Sequence, residues 1–252
     1  PGAIPGRTKG PLPKAIIAPH AGYQYSGACA AWSYKAIGDA EMADVYVILA
    51  PSHRGGNGLT QEPFMTPLGI VRVDQDLARR LLEKGNITEN NKAFDGEHSV
   101  EVQLPFLQFS HYDTRERIKI LPLLIDHELD LTHLAVDIKE ALVETGKQAV
   151  IIVSSDFTHY GRNYRFAPYL RDIQENIAKL DKGAIEKIKA LDAESLLEYV
   201  DESMATICGT LPIALMLKTV KATTVDVQQY YTSAVVTGDN KNSVSYASMV
   251  FY

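Results

Sequence analysis

The sequence predicts a single α/β domain built around a mostly parallel sheet that helices flank. Continuous apolar segments such as residues 45–50 show no alternation, which is typical of strands buried on both faces of a parallel sheet. Segments with helical periodicity lie between these strands, and that alternation indicates βαβ units. The 252 residues contain no solenoid repeat, linker or low-complexity segment, so we expect one domain over residues 1–252.

The elements follow in order along the chain. Residues 1–14 are rich in proline and glycine and are predicted to form a loop, and residues 57–69 leave room for a short hairpin. Continuous apolar segments predict strands at residues 15–18, 45–50, 118–125 and 149–153. A short strand is also predicted at residues 69–73, and a closing pair, antiparallel or at an edge, at residues 224–232 and 245–252. Helical spacing or a capping residue predicts helices at residues 28–37, 75–84, 100–109, 126–145, 168–180, 182–190, 193–200 and 211–218.

Three of the predicted strands end in the same way, with a polar turn that carries a histidine. His20 follows the first of them, His53 follows the second, and Asp156 and His159 follow the third. Proline, which cannot donate a hydrogen bond to a sheet, ends the first two strands. Open α/β sheets bind their ligands at the carboxyl ends of the strands, so we expect these four side chains to converge there.

The imidazoles of His20 and His53 suit a divalent transition metal, and we expect one ion of iron or copper per chain. The third ligand could be Asp156, His159 or Cys208. Cys208 lies at the predicted start of a helix, where the helix dipole favours the thiolate that binds metals. Occupancy is expected to fall between about pH 7 and pH 5, because protons compete for the histidines.

Other residues near this edge have weaker signals. Glu97 and His98 precede an apolar helical segment, and we expect them to line the pocket together with Ser52 and Tyr23. The remaining histidines and the second cysteine are expected to be structural: His111, His127 and His133 at the surface, and Cys29 in the core of a helix.

Composition excludes several classes of protein. The net charge of −6 is unlike the basic surface of a protein that binds nucleic acid. No apolar run approaches the roughly 20 residues that span a bilayer, and the start of the chain has no signal-peptide pattern. Two cysteines cannot form a disulfide scaffold and fit the reducing cytosol, so we expect a cytoplasmic protein. The chain begins at Pro1 without a methionine, which is consistent with a missing upstream segment.

Five motifs resemble those of the Memo family: P-H-A-G-Y-x-Y-S-G at residues 19–27, A-P-S-H at 50–53, E-H-S-V-E-V-Q-L-P-F-L at 97–107, S-S-D-F-T-H-Y-G at 154–161 and C-G at 208–209. The similarity runs from about residue 15 to the C-terminus. It implies the fold of class III extradiol dioxygenases, which are non-haem iron enzymes. It also implies that the metal-binding positions of the family fall on His20, His53 and Cys208, with Asp156 and His159 in the same pocket.

The resemblance also implies partners. Bacterial and archaeal relatives are described as component B of a three-part system with a radical S-adenosylmethionine protein. Animal members are linked to cell motility downstream of receptor tyrosine kinases. Relatives usually have an upstream segment with a tryptophan and a tyrosine near the pocket, and Trp32 does not replace it here. We therefore expect an aromatic wall of the pocket to be missing.

The sequence is compatible with two classes of function, one catalytic and one not. In the first, the protein carries out metal-dependent redox or oxygenase-like chemistry on a small substrate, with Asp156, His159 and His98 as acid, base or orienting groups. The dioxygenases use a carboxylate as the third ligand, so a cysteine there argues against ring cleavage. In the second, the pocket binds a peptide, for example one with phosphotyrosine, or the protein is a scaffold in a modification system. The acidic net charge counts against a phosphate ligand.

Overall fold

The structure is a computed structural model that describes residues 3–6 and 10–252. Within these residues ten strands form one sheet: β1 (Ala15–Ala18), β2 (Val45–Pro51), β3 (Gly58–Leu59), β4 (Phe64–Thr66), β5 (Gly69–Val73), β6 (Lys119–Ile125), β7 (Ala149–Ser154), β8 (His159–Tyr160), β9 (Val225–Thr232) and β10 (Ser243–Phe251). Their order across the sheet is β4-β5-β6-β2-β7-β1-β10-β8, with β3 paired to β6 and β9 to β10. The pairing is parallel from β5 to β1 and antiparallel between β1 and β10. The predicted fold class is therefore confirmed.

Helices flank the sheet: α1 (Tyr23–Gly38), α2 (Gln75–Lys84), α3 (Gln103–Ser110), α4 (Leu131–Thr145), α5 (Ile173–Lys189), α6 (Ala193–Ser203), α7 (Thr210–Thr219) and α8 (Ala234–Thr237). Helix α1 packs against β1, β10 and α3, whereas α7 packs against β2, β7 and α4. Every residue of β1 and β2 is buried, which explains why these strands are apolar throughout. Among the described residues, no helix combines the length and apolar character that crossing a membrane requires.

The helix predicted at residues 75–84 is present with both of its ends. The carboxylate of Asp74 caps α2 by accepting a hydrogen bond from the N–H of Leu77 at 3.0 Å. Gly85 follows with a φ of +86°, a conformation that glycine adopts without strain and that commonly ends helices. The predicted hairpin is present as the antiparallel pair β4 and β5.

Two helices predicted at residues 168–180 and 182–190 are a single helix, α5. Asp181 and Gly183 lie at the predicted break between them. Instead, the carboxylate of Asp181 accepts hydrogen bonds inside the core, and Gly183 makes room for a neighbour. A Cβ atom at Gly183 would lie 2.1 Å from the hydroxyl oxygen of Tyr199 in α6. The glycine is there for helix packing and not for a turn.

Other helix starts differ from the prediction for local reasons. Helix α1 begins at Tyr23, earlier than predicted, because the hydroxyl of Ser26 donates to the carbonyl of Ala21 at 2.8 Å instead of capping a later start. Helix α4 begins later than predicted, at Leu131, because the carboxylate of Asp130 provides the cap. The predicted loop at residues 1–14 includes residues 1, 2 and 7–9, which lie outside the described residues; its described part forms no helix and only an isolated bridge at Gly10.

The late strands and the structural histidines complete the comparison. Strands β9 and β10 are antiparallel, and β10 also pairs with β1, so it lies inside the sheet. His111 was expected at the surface but is buried, because its Nε2 forms a hydrogen bond with the hydroxyl of Tyr46. His127 and His133 are exposed and Cys29 is buried, as predicted.

Candidate metal centre

The carboxyl ends of three parallel strands meet at one edge of the sheet. The last residues of β1 and β7 are paired directly, and β2 is paired with β7 in the same direction. His20, His53 and Asp156 each lie two residues beyond the end of one of these strands. The regular register therefore brings the three side chains to the same edge.

Three histidines lie close together at this edge. The ring centroids of His20 and His53 are 5.1 Å apart, those of His20 and His98 are 5.5 Å apart, and those of His53 and His98 are 4.9 Å apart. One ring nitrogen from each histidine lies within 4.8 Å of the others, a spacing that could hold a metal ion. The third member of the cluster is therefore His98. From the sequence, the third ligand was expected to be Asp156, His159 or Cys208.

Glu97 orients two of the three histidines. Its carboxylate is fully buried and accepts hydrogen bonds from the backbone N–H of His53 at 2.7 Å and from the ring Nδ1 of His53 at 3.0 Å. It also accepts from the N–H groups of His98 and Ser99, both at 2.9 Å. Burial opposes ionisation, but the hydrogen bonds from His53 and Ser99 outweigh it and hold the pKa of Glu97 well below its usual range. Nδ1 of His53 is therefore a donor, and its Nε2 keeps a free lone pair.

His20 is the buried member of the cluster. Its Nδ1 lies 2.8 Å from the hydroxyl of Ser154, and its Nε2 lies 3.3 Å from the sulfur of Cys208. Burial lowers the pKa of His20 to about 4; Asp156 opposes this shift and His53 adds to it. The ring is therefore neutral at pH 7, as metal binding requires. Protons compete for this ligand at a lower pH than the range of about pH 7 to pH 5 expected for an unperturbed histidine.

Cys208 joins this group from a turn directly before α7. Its sulfur lies 3.3 Å from Nε2 of His20 and 3.6 Å from the carbonyl oxygen of Asp156, and the single hydrogen of the thiol can be donated to either of them. Burial, and then the negative charge of Asp156, raise the pKa of the Cys208 thiol well above its usual value. The helix dipole alone thus does not make Cys208 a thiolate, contrary to the expectation from the sequence. A cation close to the sulfur would be needed to offset burial.

Asp156 and His159 lie beyond β7 and make different contacts. Oδ1 of Asp156 accepts a hydrogen bond from the backbone N–H of His20 at 2.9 Å, so Asp156 holds the turn that carries His20. Nδ1 of His159 donates to the carbonyl oxygens of Phe157 and Thr206, both at 3.0 Å. Its Nε2 therefore keeps a lone pair that can accept a proton.

The two remaining candidates lie in different surroundings. The hydroxyl oxygen of Ser52, next to His53, is buried and has no hydrogen-bond partner among the described residues. Such groups are uncommon, and this one belongs to the residue directly before His53. Tyr23 is half exposed and packs against Phe106, along an apolar cleft of about 530 Å³ between α1 and α3. None of the clustered histidines lines that cleft.

Two supporting residues are not identified by the sequence analysis. Gln103 is fully buried in α3, and its amide nitrogen donates to the hydroxyl of Ser154 at 2.8 Å. Ser154 in turn contacts His20. The signal in the sequence is the polarity of Gln103 within a mostly apolar helical segment, and that signal does not say which neighbour the amide meets.

Replacing Gly209 with alanine is expected to lower the free energy of unfolding by about 1–3 kcal/mol, the usual cost of overpacking. A Cβ atom at Gly209 would lie 2.3 Å from Cβ of Ser155, so the turn that carries Cys208 must move. Gly27→Ala is the matched control, because a Cβ at Gly27 in α1 finds no atom closer than 3.6 Å. It should be neutral or stabilising by about 0.5–1 kcal/mol. Denaturant unfolding of both variants checks this, and equal stabilities would contradict the proposed close approach.

Comparison with known proteins agrees with this description. The family model of Memo-like proteins matches residues 4–250. A MEMO1 family protein of Methanopyrus kandleri is 35% identical over 266 aligned residues, which cover 100% of this chain and 88% of the relative. A MEMO1 family protein of Pyrococcus furiosus is 36% identical over 248 residues, covering 93% of this chain and 85% of the relative. The crystal structure of an uncharacterized protein from Escherichia coli K12 has the same fold, with a TM-score of 0.56 at 16% identity, over 94% of this chain and 99% of that one.

Proposed function

Because this chain belongs to the Memo family and gathers three histidines at one edge of its sheet, we propose that it binds a single iron or copper ion there and acts as a metal-dependent redox protein on a small substrate. The observation that carries the proposal is the cluster of His20, His53 and His98, with the sulfur of Cys208 3.3 Å from Nε2 of His20. His20 and His53 are the two fixed ligands of the proposed site. The third ligand is His98 or Cys208.

The residues fit such an ion by their chemistry. Imidazole nitrogen binds iron and copper, and a thiolate adds preference for softer ions such as Cu(I). Nδ1 of His53 is hydrogen-bonded to Glu97, and Nδ1 of His20 is hydrogen-bonded to Ser154. Histidines that bind a metal through one ring nitrogen usually have such a hydrogen bond at the other. The unpartnered hydroxyl of Ser52 beside His53 suits a ligand or substrate that completes its hydrogen bonds.

The chemistry of the proposed site divides between the ion and the chain. A mononuclear iron or copper ion supplies one-electron redox chemistry and Lewis acidity when it is bound. His159 is the proposed acid–base group, because its Nδ1 is held by two carbonyl oxygens and its Nε2 is left to exchange a proton. Asp156 keeps the turn of His20 in place through the backbone. Asp156 thus acts on the site by positioning.

His20→Ala is expected to abolish stoichiometric binding of iron or copper, since it removes a ligand that is buried and neutral at pH 7. His133→Ala is the matched control. The ring of His133 also forms a 2.8 Å hydrogen bond through Nδ1, in its case with the carboxylate of Asp130, but the His133 side chain is 71% exposed on α4. Anaerobic metal titration followed by elemental analysis measures the ratio of metal to protein. Equal binding by both variants, or none by the unchanged protein, would overturn the proposal.

The third ligand is decided by a second pair of variants in the same titration. If Cys208 is a ligand, Cys208→Ser weakens binding because a serine hydroxyl stays protonated and binds soft metals poorly. If His98 is the ligand, His98→Ala weakens binding instead and Cys208→Ser leaves it unchanged. A protein that binds no metal at all would favour the second class of function, a pocket that recognises a peptide.

A further inference from the structure

We infer that a buried chain of hydrogen bonds from Tyr34 through Gln103 and Ser154 holds the ring of His20 in the tautomer with its proton on Nδ1, so that Nε2 is free to bind. That Nε2 of His20 binds a metal ion rests on the proposed function. The tautomer itself does not depend on a metal ion. Gln103, Ser154 and Tyr34 are then positioning residues. None of them is a ligand.

The first step concerns the orientation of the Gln103 amide. Its Nε2 lies 3.3 Å from the carbonyl oxygen of Ala18 and 3.2 Å from that of Pro19. Carbonyl oxygens only accept hydrogen bonds, so the atom that faces them must be the NH2 group. The amide oxygen then accepts from the hydroxyl of Tyr34 at 2.7 Å. All the contacts of the side chain agree on one orientation, and the NH2 group is a donor.

The second step concerns the hydroxyl of Ser154. Its oxygen accepts a hydrogen bond from the amide of Gln103 at 2.8 Å. Its single hydrogen is donated to the carbonyl oxygen of Ser99 at 2.6 Å, because that oxygen cannot donate. The remaining contact of Ser154 is with Nδ1 of His20 at 2.8 Å. Since Ser154 has no second hydrogen to give, Nδ1 of His20 must carry the proton.

The consequence is a preformed ligand atom. In the Nδ1–H tautomer, Nε2 of His20 has a lone pair, and this is the nitrogen that lies beside Cys208. Glu97 has the same effect on His53 by accepting from its Nδ1. The carboxylate of Glu97 and the hydroxyl of Ser154 thus accept the Nδ1 proton of His53 and of His20, respectively. In both histidines this leaves the lone pair on Nε2. Without the relay, the ring of His20 would be free to place its proton on Nε2, which blocks binding.

The test is a long-range 1H–15N correlation spectrum of the metal-free, 15N-histidine-labelled protein at pH 8, with the His20 signals identified by their loss in His20→Gln. We expect a protonated, pyrrole-type Nδ1 and an unprotonated, pyridine-type Nε2. Gln103→Leu should shift the average toward the Nε2–H form, because the hydroxyl of Ser154 loses the amide that fixes its position and can turn its hydrogen from the carbonyl of Ser99 to Nδ1 of His20. Ser154→Ala should shift it in the same direction and serves if Gln103→Leu does not fold.

Gln108→Leu is the matched control, because Gln108 is also buried in α3 but bonds to Thr66 and Gly69 of the β4–β5 hairpin. It should leave the His20 signals unchanged. Metal affinity should fall by about 10- to 100-fold in Gln103→Leu and not in Gln108→Leu. An Nε2–H tautomer in the unchanged protein, or unshifted His20 signals in both Gln103→Leu and Ser154→Ala, overturns the inference. The expected tautomer in a protein that binds no metal supports the inference and refutes the proposed function instead.

Discussion

The free energy of unfolding of the metal-free protein is expected to fall by about 6 kcal/mol between about pH 6.5 and pH 4, because two buried histidines stay neutral in the folded state. Burial lowers the pKa of both His20 and His111 from 6.5 to about 4. The unfolded chain binds protons below pH 6.5 and the folded chain does not, so the stability is complete above pH 6.5 and is lost as the pH falls toward 4. At about 1.4 kcal/mol per pKa unit, each histidine contributes about 3.5 kcal/mol in full, and about 3 kcal/mol of this is lost by pH 4 because the folded histidine is itself half protonated there.

The two contributions can be separated because the histidines lie in different places. His111→Gln should remove about half of the loss, since glutamine does not titrate but still offers a hydrogen-bonding partner to Tyr46. His133→Gln is the control, because the exposed His133 should leave the pH dependence of stability largely unchanged. Denaturant unfolding at pH 7 and at pH 4, with a chelator present, measures how much stability the unchanged protein and each of the two variants lose between these pH values. A His111→Gln protein as acid-sensitive as the unchanged protein would contradict the assignment.

The edge of the sheet where the site lies was predictable from sequence because it depends on local rules. A continuous apolar strand followed by a polar turn identifies the end of a parallel strand, and parallel strands place those ends together. His20 and His53 are therefore brought into one group without any long-range information. A glycine directly after Cys208 is also a local signal of close backbone approach, although its neighbour, Ser155, comes from a distant part of the chain.

The parts that the sequence could not predict depend on which side chains meet across the fold. His111 has the sequence context of a helix end at the surface, and only its contact with Tyr46 explains its burial. The place of His98 in the cluster follows from the turn that Glu97 holds, and Glu97 contacts His53 from 44 positions away. The pKa of Cys208 is raised, whereas the helix dipole alone would lower it. Segments distant in the sequence bury the thiol, and this burial exceeds the local effect of the dipole.

Glu97→Gln is expected to weaken metal binding by about 10- to 100-fold and to lower the free energy of unfolding by about 1–3 kcal/mol. Oε1 of Glu97 accepts from the ring of His53 and from the N–H groups of His98 and Ser99, and Oε2 accepts from the N–H of His53. All four partners are donors, whereas an amide offers one oxygen and one NH2 group. If the amide oxygen takes the position of Oε1, the NH2 group faces the N–H of His53 and leaves that buried donor unpaired.

The effect on metal binding has a separate cause, the loss of the negative charge that receives Nδ1–H of His53. Glu89→Gln is the matched control, because Glu89 is exposed and, among the described residues, its carboxylate accepts hydrogen bonds only from the side chains of Gln61 and Asn91. It should change neither property. Calorimetric metal titration and denaturant unfolding of the two variants measure both effects. If Glu97→Gln lost stability but bound metal as tightly as the unchanged protein, the charge of Glu97 would support the turn and have no part in preparing His53 for metal binding.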